Sequence, residues 1–243
     1  VSRPTLVLLH GVGLDHTVWE PLAALLADRF DIITPDLPGH GARPPAPAGV
    51  TLADLADGVA AEIPTGSHLV GFSLGALVAQ HLGVHRPELV ASLTSVASVC
   101  RRTPEERVAV LARLDTAATD IAASSAASLR RWYDGTDVAP EQIARTEATL
   151  LANDPDSFLN CYRVFATADA EIGPQLALID VPALAITGSD DPGSTPDMTR
   201  RLAASIRDCE AVIIPGARHM LPVQCPRELA DAITSFIGRS VHV

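Results

Sequence analysis

The sequence predicts an α/β fold, a mostly parallel sheet with helices on both faces and a helical insert, and three observations carry that prediction. Short apolar runs bounded by turn residues recur along the chain, as strands buried on both faces do. Stretches with apolar residues at three- and four-residue spacing separate them, which implies right-handed βαβ units. Between about Cys100 and Pro174 this alternation stops, and Ala-rich helical segments follow one another without a strand.

Taken in order, the strands are Thr5 to Leu9, Asp31 to Thr34, His68 to Phe72, Ser92 to Val96, Pro182 to Thr187 and Ala211 to Ile214. Each is a short run rich in Val, Ile and Leu. The helices are Val18 to Ala27, Leu52 to Ile63, Leu74 to Val84, Thr199 to Ile206 and Pro226 to Ile237. Residues 1–99 and 177–243 form the core and residues 100–176 the insert. Arg43 to Gly49, with Pro44, Pro45 and Pro47, reads as an extended surface loop. The insert holds Trp132, Tyr133, Phe158, Tyr162 and Phe165, a large share of a chain with only 4% aromatic residues. Those rings either pack the insert onto the sheet or line a pocket, since pockets too are lined by apolar and aromatic groups.

Composition removes several functions. The chain has 243 residues, 47% of them hydrophobic, enough for one well-buried core. Its 18 basic side chains are all arginine, so Schiff-base chemistry, a pyridoxal-phosphate anchor and a P-loop lysine are excluded. A net charge of −11 argues against nucleic acid or an anionic membrane as partner and favours a small-molecule substrate. Cys100, Cys161, Cys209 and Cys225 are scattered, which suggests free cytoplasmic thiols rather than a disulfide framework or a zinc site. No apolar run approaches the ~20 residues of a membrane helix, and Thr5 to Leu9 is too short for a signal-peptide core. No cofactor or metal is called for, and the oligomeric state is left open. The chain begins at Val1 rather than at methionine, so the sequence does not say what precedes it.

The strongest chemical signal is Gly71-Phe72-Ser73-Leu74-Gly75, a G-x-S-x-G at a strand-to-helix junction. The string alone is weak; its position is strong. A sharp turn there projects the Ser73 hydroxyl above the sheet's carboxyl edge, with a helix N-terminus behind it to favour developing negative charge. The plainer reading is that Ser73 is a helix N-cap. A serine nucleophile needs a base. His219 follows the last strand, in Pro215-Gly216-Ala217-Arg218-His219-Met220, and opens onto the same edge; His10, His16, His40, His68, His81, His85 and His242 occupy other elements. The acid is sought between them in chain order. Thr187-Gly188-Ser189-Asp190-Asp191-Pro192 supplies two carboxylates, of which Asp191 is chosen to orient His219. His10-Gly11-Val12-Gly13 follows the first strand, and the amides of Val12 and Leu74 are the expected oxyanion donors, although the glycine segment also reads as a plain tight turn.

This set, together with Asp36-Leu37-Pro38-Gly39-His40-Gly41, resembles the α/β-hydrolase family along essentially the whole chain. Within it, Leu129 to Trp132 and Leu150 to Phe158 with Cys161 resemble the cap of 3-oxoadipate enol-lactonases. Gly11-Val12-Gly13-Leu14 with Val18-Trp19 is equally similar to the carboxyl methyl esterase of biotin synthesis. The resemblance implies a serine hydrolase acting on a small ester or lactone through an acyl-serine, with 3-oxoadipate enol-lactone as the leading substrate. The alternatives are a carboxylesterase for neutral methyl esters, a C–C bond hydrolase, and a non-hydrolytic ligand-binding or lyase member. Ser73 argues against dehalogenases and epoxide hydrolases of the family, which carry aspartate there.

Three departures from the family pattern stand out. Little chain precedes the first strand, which predicts a sheet two strands shorter than usual. One extra residue lies between Asp191 and Pro196, through Gly193-Ser194. Gln224 stands where glutamate is common, and Arg218 directly before His219 is positioned to alter its basicity. An anionic lactone needs a local cation in an acidic protein, and arginine suits a carboxylate. Arg130, Arg131 and Arg163, near Trp132 and Tyr162, are the candidates. Arg131, Arg163, Trp132 and Tyr162 are therefore the expected pocket residues, with solvated helix-face charges as the alternative for the arginines.

Overall fold

The computed structural model describes residues 3–240. Six strands, β1 (Thr5–Leu9), β2 (Asp31–Ile33), β3 (Ser67–Phe72), β4 (Val90–Val96), β5 (Ala183–Gly188) and β6 (Cys209–Ile214), form one sheet in the order β2-β1-β3-β4-β5-β6. Every pairing is parallel. The continuous apolar runs have a direct physical cause, because successive side chains of each strand enter opposite cores. Val7, Leu9, Leu69, Ala183 and Ala185 face one cluster, while Leu6, Leu8, Val70, Leu184 and Ile186 face the other.

Helices α1 (Glu20–Leu26), α2 (Leu52–Ala60) and α3 (Leu74–His85) belong to the first half of the core; α8 (Pro196–Ser205), α9 (Leu221–Gln224) and α10 (Pro226–Ser240) belong to the second. Helices α2, α3 and α8 cover one face and α1 and α10 the other. The expected first helix is divided: a 3₁₀ turn over His16–Trp19 leads into α1, where Pro21 occupies the first turn. Helix α8 starts three residues before the expected Thr199, because Thr195 caps it through a hydrogen bond from the Met198 amide.

Between β4 and β5 lie α4 (Pro104–Thr119), α5 (Ile121–Tyr133), α6 (Pro140–Leu151) and α7 (Pro155–Ile172). Polar side chains of this helical segment hold it to core loops. Asn153 Nδ2 donates to the Gly13 carbonyl (2.8 Å), and Ser157 Oγ donates to Gly39 O (2.9 Å) while accepting from Ala46 N (2.8 Å). The proline-rich loop is thus pinned beneath α7 at Ala46 rather than lying free on the surface. At the base of the segment, the buried Asp169 of α7 receives Arg102 Nη1 at 2.6 Å and the Arg102 amide at 2.8 Å. Tyr133 donates to or accepts from Thr146 Oγ1 at 2.9 Å and joins α5 to α6. No helix among the described residues is long and apolar enough to cross a membrane. The four cysteines are free, and burial pushes the Cys161, Cys209 and Cys225 thiols up to about 12.

Candidate active site

Ser73 sits between β3 and α3 at φ 55° and ψ −111°, a left-handed conformation that costs a non-glycine residue of order 1–3 kcal/mol. Two constraints hold it there. Its amide donates to Val96 O at 2.9 Å, and Gly75 lets α3 press against β1, since a Cβ at Gly75 would lie 2.1 Å from Leu9 O. Ser73 makes no side-chain cap bond, so the N-cap reading does not describe it. Leu74 opens α3, so its own amide has no acceptor within the helix.

The loops after β5 and β6 come together at Gly188, where a Cβ would stand 2.0 Å from Ala217 O. Asp190 N donates to Ala217 O and Ser189 N to Ile214 O, each at 2.9 Å, so the two loops run edge to edge. That approach brings Asp191 Oδ2 to 2.7 Å from His219 Nδ1, with both residues buried. Asp191 Oδ1 accepts the amides of Gly193 (2.8 Å) and Ser194 (2.9 Å). The extra residue in this loop therefore holds the carboxylate in place instead of displacing it. Asp190 is exposed, and among the described residues its carboxylate accepts only from Ser189 Oγ, at 2.8 Å. With Nδ1–H donating to Asp191, Nε2 of His219 is left as the lone-pair nitrogen.

Arg218 donates from Nη1 to the Arg131 carbonyl at 2.9 Å, satisfying a free carbonyl in the last turn of α5. Gln224 accepts the Arg218 amide at 2.7 Å through its side-chain oxygen. His10 supports the loop that carries Val12. Its Nε2 accepts the Leu37 amide (2.9 Å), which fixes the proton on Nδ1, where it donates to Gly11 O (2.8 Å). Burial holds the His10 pKa below its usual value, so it is a structural neutral imidazole. His242 lies outside the described residues.

Ser73, Asp191, His219 and Val12 line one pocket under the helical segment, together with Trp132, Tyr162 and Arg131. Arg163 does not. It is exposed, with Nη1 3.5 Å from Asn160 Oδ1, because it follows Tyr162 on α7 and one helical step turns it about 100° away. Arg130 is exposed beside Arg131 for the same reason. The aromatic residues divide between the two expected roles: Trp132, Phe158, Tyr162 and Phe165 line the pocket, whereas Tyr133 packs helix on helix. Sequence reasoning missed Arg113 on α4 and Ser124, Ser125 and Ser128 on α5. The signal was present in Arg113, three residues from Val110 on an apolar helical face. Among the described residues no group of three or more His, Cys, Asp or Glu could hold a metal ion.

The alpha/beta hydrolase family matches residues 6–232 of the sequence. The chain belongs to the alpha/beta hydrolase family. Among its relatives is the (E)-2-((N-methylformamido)methylene)succinate hydrolase of Acinetobacter baylyi, 30% identical over 96% of this chain and 89% of that protein. The pimeloyl-[acyl-carrier protein] methyl ester esterase of Edwardsiella ictaluri is 30% identical over 99% of this chain and 96% of that protein. In three dimensions this alpha/beta hydrolase is similar to the enol-lactonase from Burkholderia xenovorans LB400, with a TM-score of 0.86 and 25% identity, covering 98% of this chain and 92% of that one. Relatives of both kinds named by the sequence motifs, enol-lactonase and methyl ester esterase, are thus found.

Proposed function

We propose that this alpha/beta hydrolase cleaves a small ester or lactone through an acyl-serine, with Ser73 as nucleophile, His219 as base, Asp191 as its orienting carboxylate, and the Val12 and Leu74 amides as oxyanion donors. The observation that carries the reading is the 2.7 Å contact of Asp191 with His219 Nδ1, in a pocket shared with the strained Ser73. In this reaction Ser73 Oγ attacks the carbonyl carbon as its proton passes to His219 Nε2, and the carbonyl oxygen becomes the oxyanion. Collapse breaks the acyl C–O bond, and the imidazolium returns the proton to the departing oxygen. Water then attacks the acyl-serine, gives a proton to His219, and the acid leaves as Ser73 regains its hydrogen. Asp191 stays ionised throughout and stabilises the imidazolium.

An enol-lactone of the 3-oxoadipate type is the leading substrate, supported by the structural similarity to an enol-lactonase. A neutral methyl ester is the second reading, supported by the methyl ester esterase relative, which spans almost the whole chain. Labelling with a fluorophosphonate tests the nucleophile. Stoichiometric modification at Ser73, together with a loss of at least ~10³-fold in turnover for Ser73→Ala on an ester and lactone panel, is expected. An unmodified, folded protein overturns the acyl-serine reading in favour of a binding or lyase member of the fold.

A further inference from the structure

Helix α4 buries Val110, Leu114 and Ala117, and Arg113 falls on that same side by three- and four-residue spacing. Arg113 lines the pocket, and its guanidinium makes no hydrogen bond or ion pair among the described residues. Facing it, α5 turns Ser124, Ser128 and Arg131 inward at positions i, i+4 and i+7, with Ser125 beside them. Among the described residues the Ser124 and Ser125 hydroxyls have no hydrogen-bond partner, and the Arg131 side chain bonds only to Ser128 Oγ, at 2.7 Å. The chain carries 29 Asp and Glu side chains, yet among the described residues the only one lining this pocket is Asp191, already committed to His219 and two amides. A half-buried cation costs free energy unless it is paired, so two of them beside hydroxyl donors make a setting that favours an anionic group.

We propose that Arg113 and Arg131, with the hydroxyls of α5, form a subsite for a carboxylate of the substrate, so that the compound hydrolysed is an ester or lactone that keeps a second, free carboxylate. This deepens the ester or lactone reading and rests on it for the chemistry, though not for the binding. Burial and the neighbouring Arg113 charge hold the Arg131 pKa below its usual value, consistent with two cations sharing one site. Each guanidinium presents a planar fork, so one carboxylate bridging them takes charge-assisted bonds from both. Arg113 comes from a different helix from the arginines next to Trp132, and the subsite exists only where α4 and α5 are packed together.

The test uses the monomethyl and dimethyl esters of succinate, glutarate and adipate. In active protein, kcat/KM for the best monomethyl ester is expected to exceed that of its dimethyl counterpart. Arg113→Gln and Arg131→Gln should each lower that ratio about tenfold or more, mainly through KM, with the effect weakening at high salt. Calorimetry on Ser73→Ala gives the independent arm: the monomethyl esters should bind, and adding Arg113→Gln should weaken them about tenfold or more. Arginine-dependent binding with no turnover of either ester would leave the subsite standing and remove the hydrolase reading. Equal losses for both esters, or no arginine dependence of binding, overturns the subsite.

Discussion

The indole of Trp132 stacks on the imidazole of His219, with ring centroids 5.6 Å apart and planes inclined by 24°. Phe72 approaches the same imidazole at 5.0 Å, so His219 touches one ring from the helical segment and one from the sheet. The Arg218–Arg131 hydrogen bond ties the same two segments one residue earlier on each. The helical segment thereby positions the His219 imidazole as well as roofing the pocket.

Removing that ring should loosen the imidazole. Aromatic pairs contribute about 0.5–1.5 kcal/mol, so Trp132→Ala is expected to lower kcat by roughly twofold to tenfold, while Trp132→Phe retains most of it. Steady-state kinetics on one ester at saturating substrate decides. An unchanged kcat in Trp132→Ala would show that the stack plays no part in positioning.

The two adjacent aspartates should separate cleanly. Asp191 is buried with three donors, His219 among them, whereas Asp190 is exposed. Asp191→Asn is expected to cost at least ~10²-fold in turnover and Asp190→Asn under ~10-fold. Reversed magnitudes would move the orienting role to Asp190.

Asp169 joins the entry and exit of the helical segment. Its carboxylate is fully buried and meets Arg102 at 2.6 Å and Arg107 at 3.1 Å. Asp169→Ala leaves the buried Arg102 unpaired, for which about 3–5 kcal/mol of lost stability is expected. By the usual scaling, that is a fall of roughly 10 °C in melting temperature. Calorimetric unfolding that moves by less than about 2 °C would mean that the pair is energetically neutral.

Stability should decline in mild acid. Burial pulls the His40 pKa down to about 3 and lowers that of His10. A histidine kept neutral in the folded state stabilises fully above the unfolded value of about 6.5, and that contribution is lost as pH falls from there towards the folded pKa. Each such group adds a slope of up to about 1.4 kcal/mol per pH unit. His16, raised by its hydrogen bond to Asp36, acts in the opposite sense but is solvent-exposed and weak. Urea midpoints at pH 7 and pH 5 should differ, and His40→Gln should flatten the dependence. Midpoints identical at the two pH values would contradict this account.

Strand identity was legible because β1, β3 and β5 are apolar at successive residues, a pattern that only a sheet covered on both faces requires. Ser73 was legible because the strand-to-helix junction and the glycines that relieve it are consecutive in the chain. The choice of Asp191 over its neighbour rested on one residue, and the geometry behind it is non-local: Gly188 lets the β5 and β6 loops touch, and the Gly193 and Ser194 amides fill the second oxygen.

The pocket's composition belongs to tertiary structure. Consecutive residues on a helix diverge by about 100°, so Arg163 and Arg130 turn outward beside Tyr162 and Arg131, and no composition argument separates them. Arg113 faces the serines of α5 only because α4 and α5 pack side by side. The chain by itself determined the layered fold and the strand-to-helix turn at Ser73, since these are written in local periodicity and in a short motif. Which arginines face the carboxyl edge, and which ring rests on His219, was decided by helix packing, because those contacts join residues far apart in sequence whose orientation depends on helical phase.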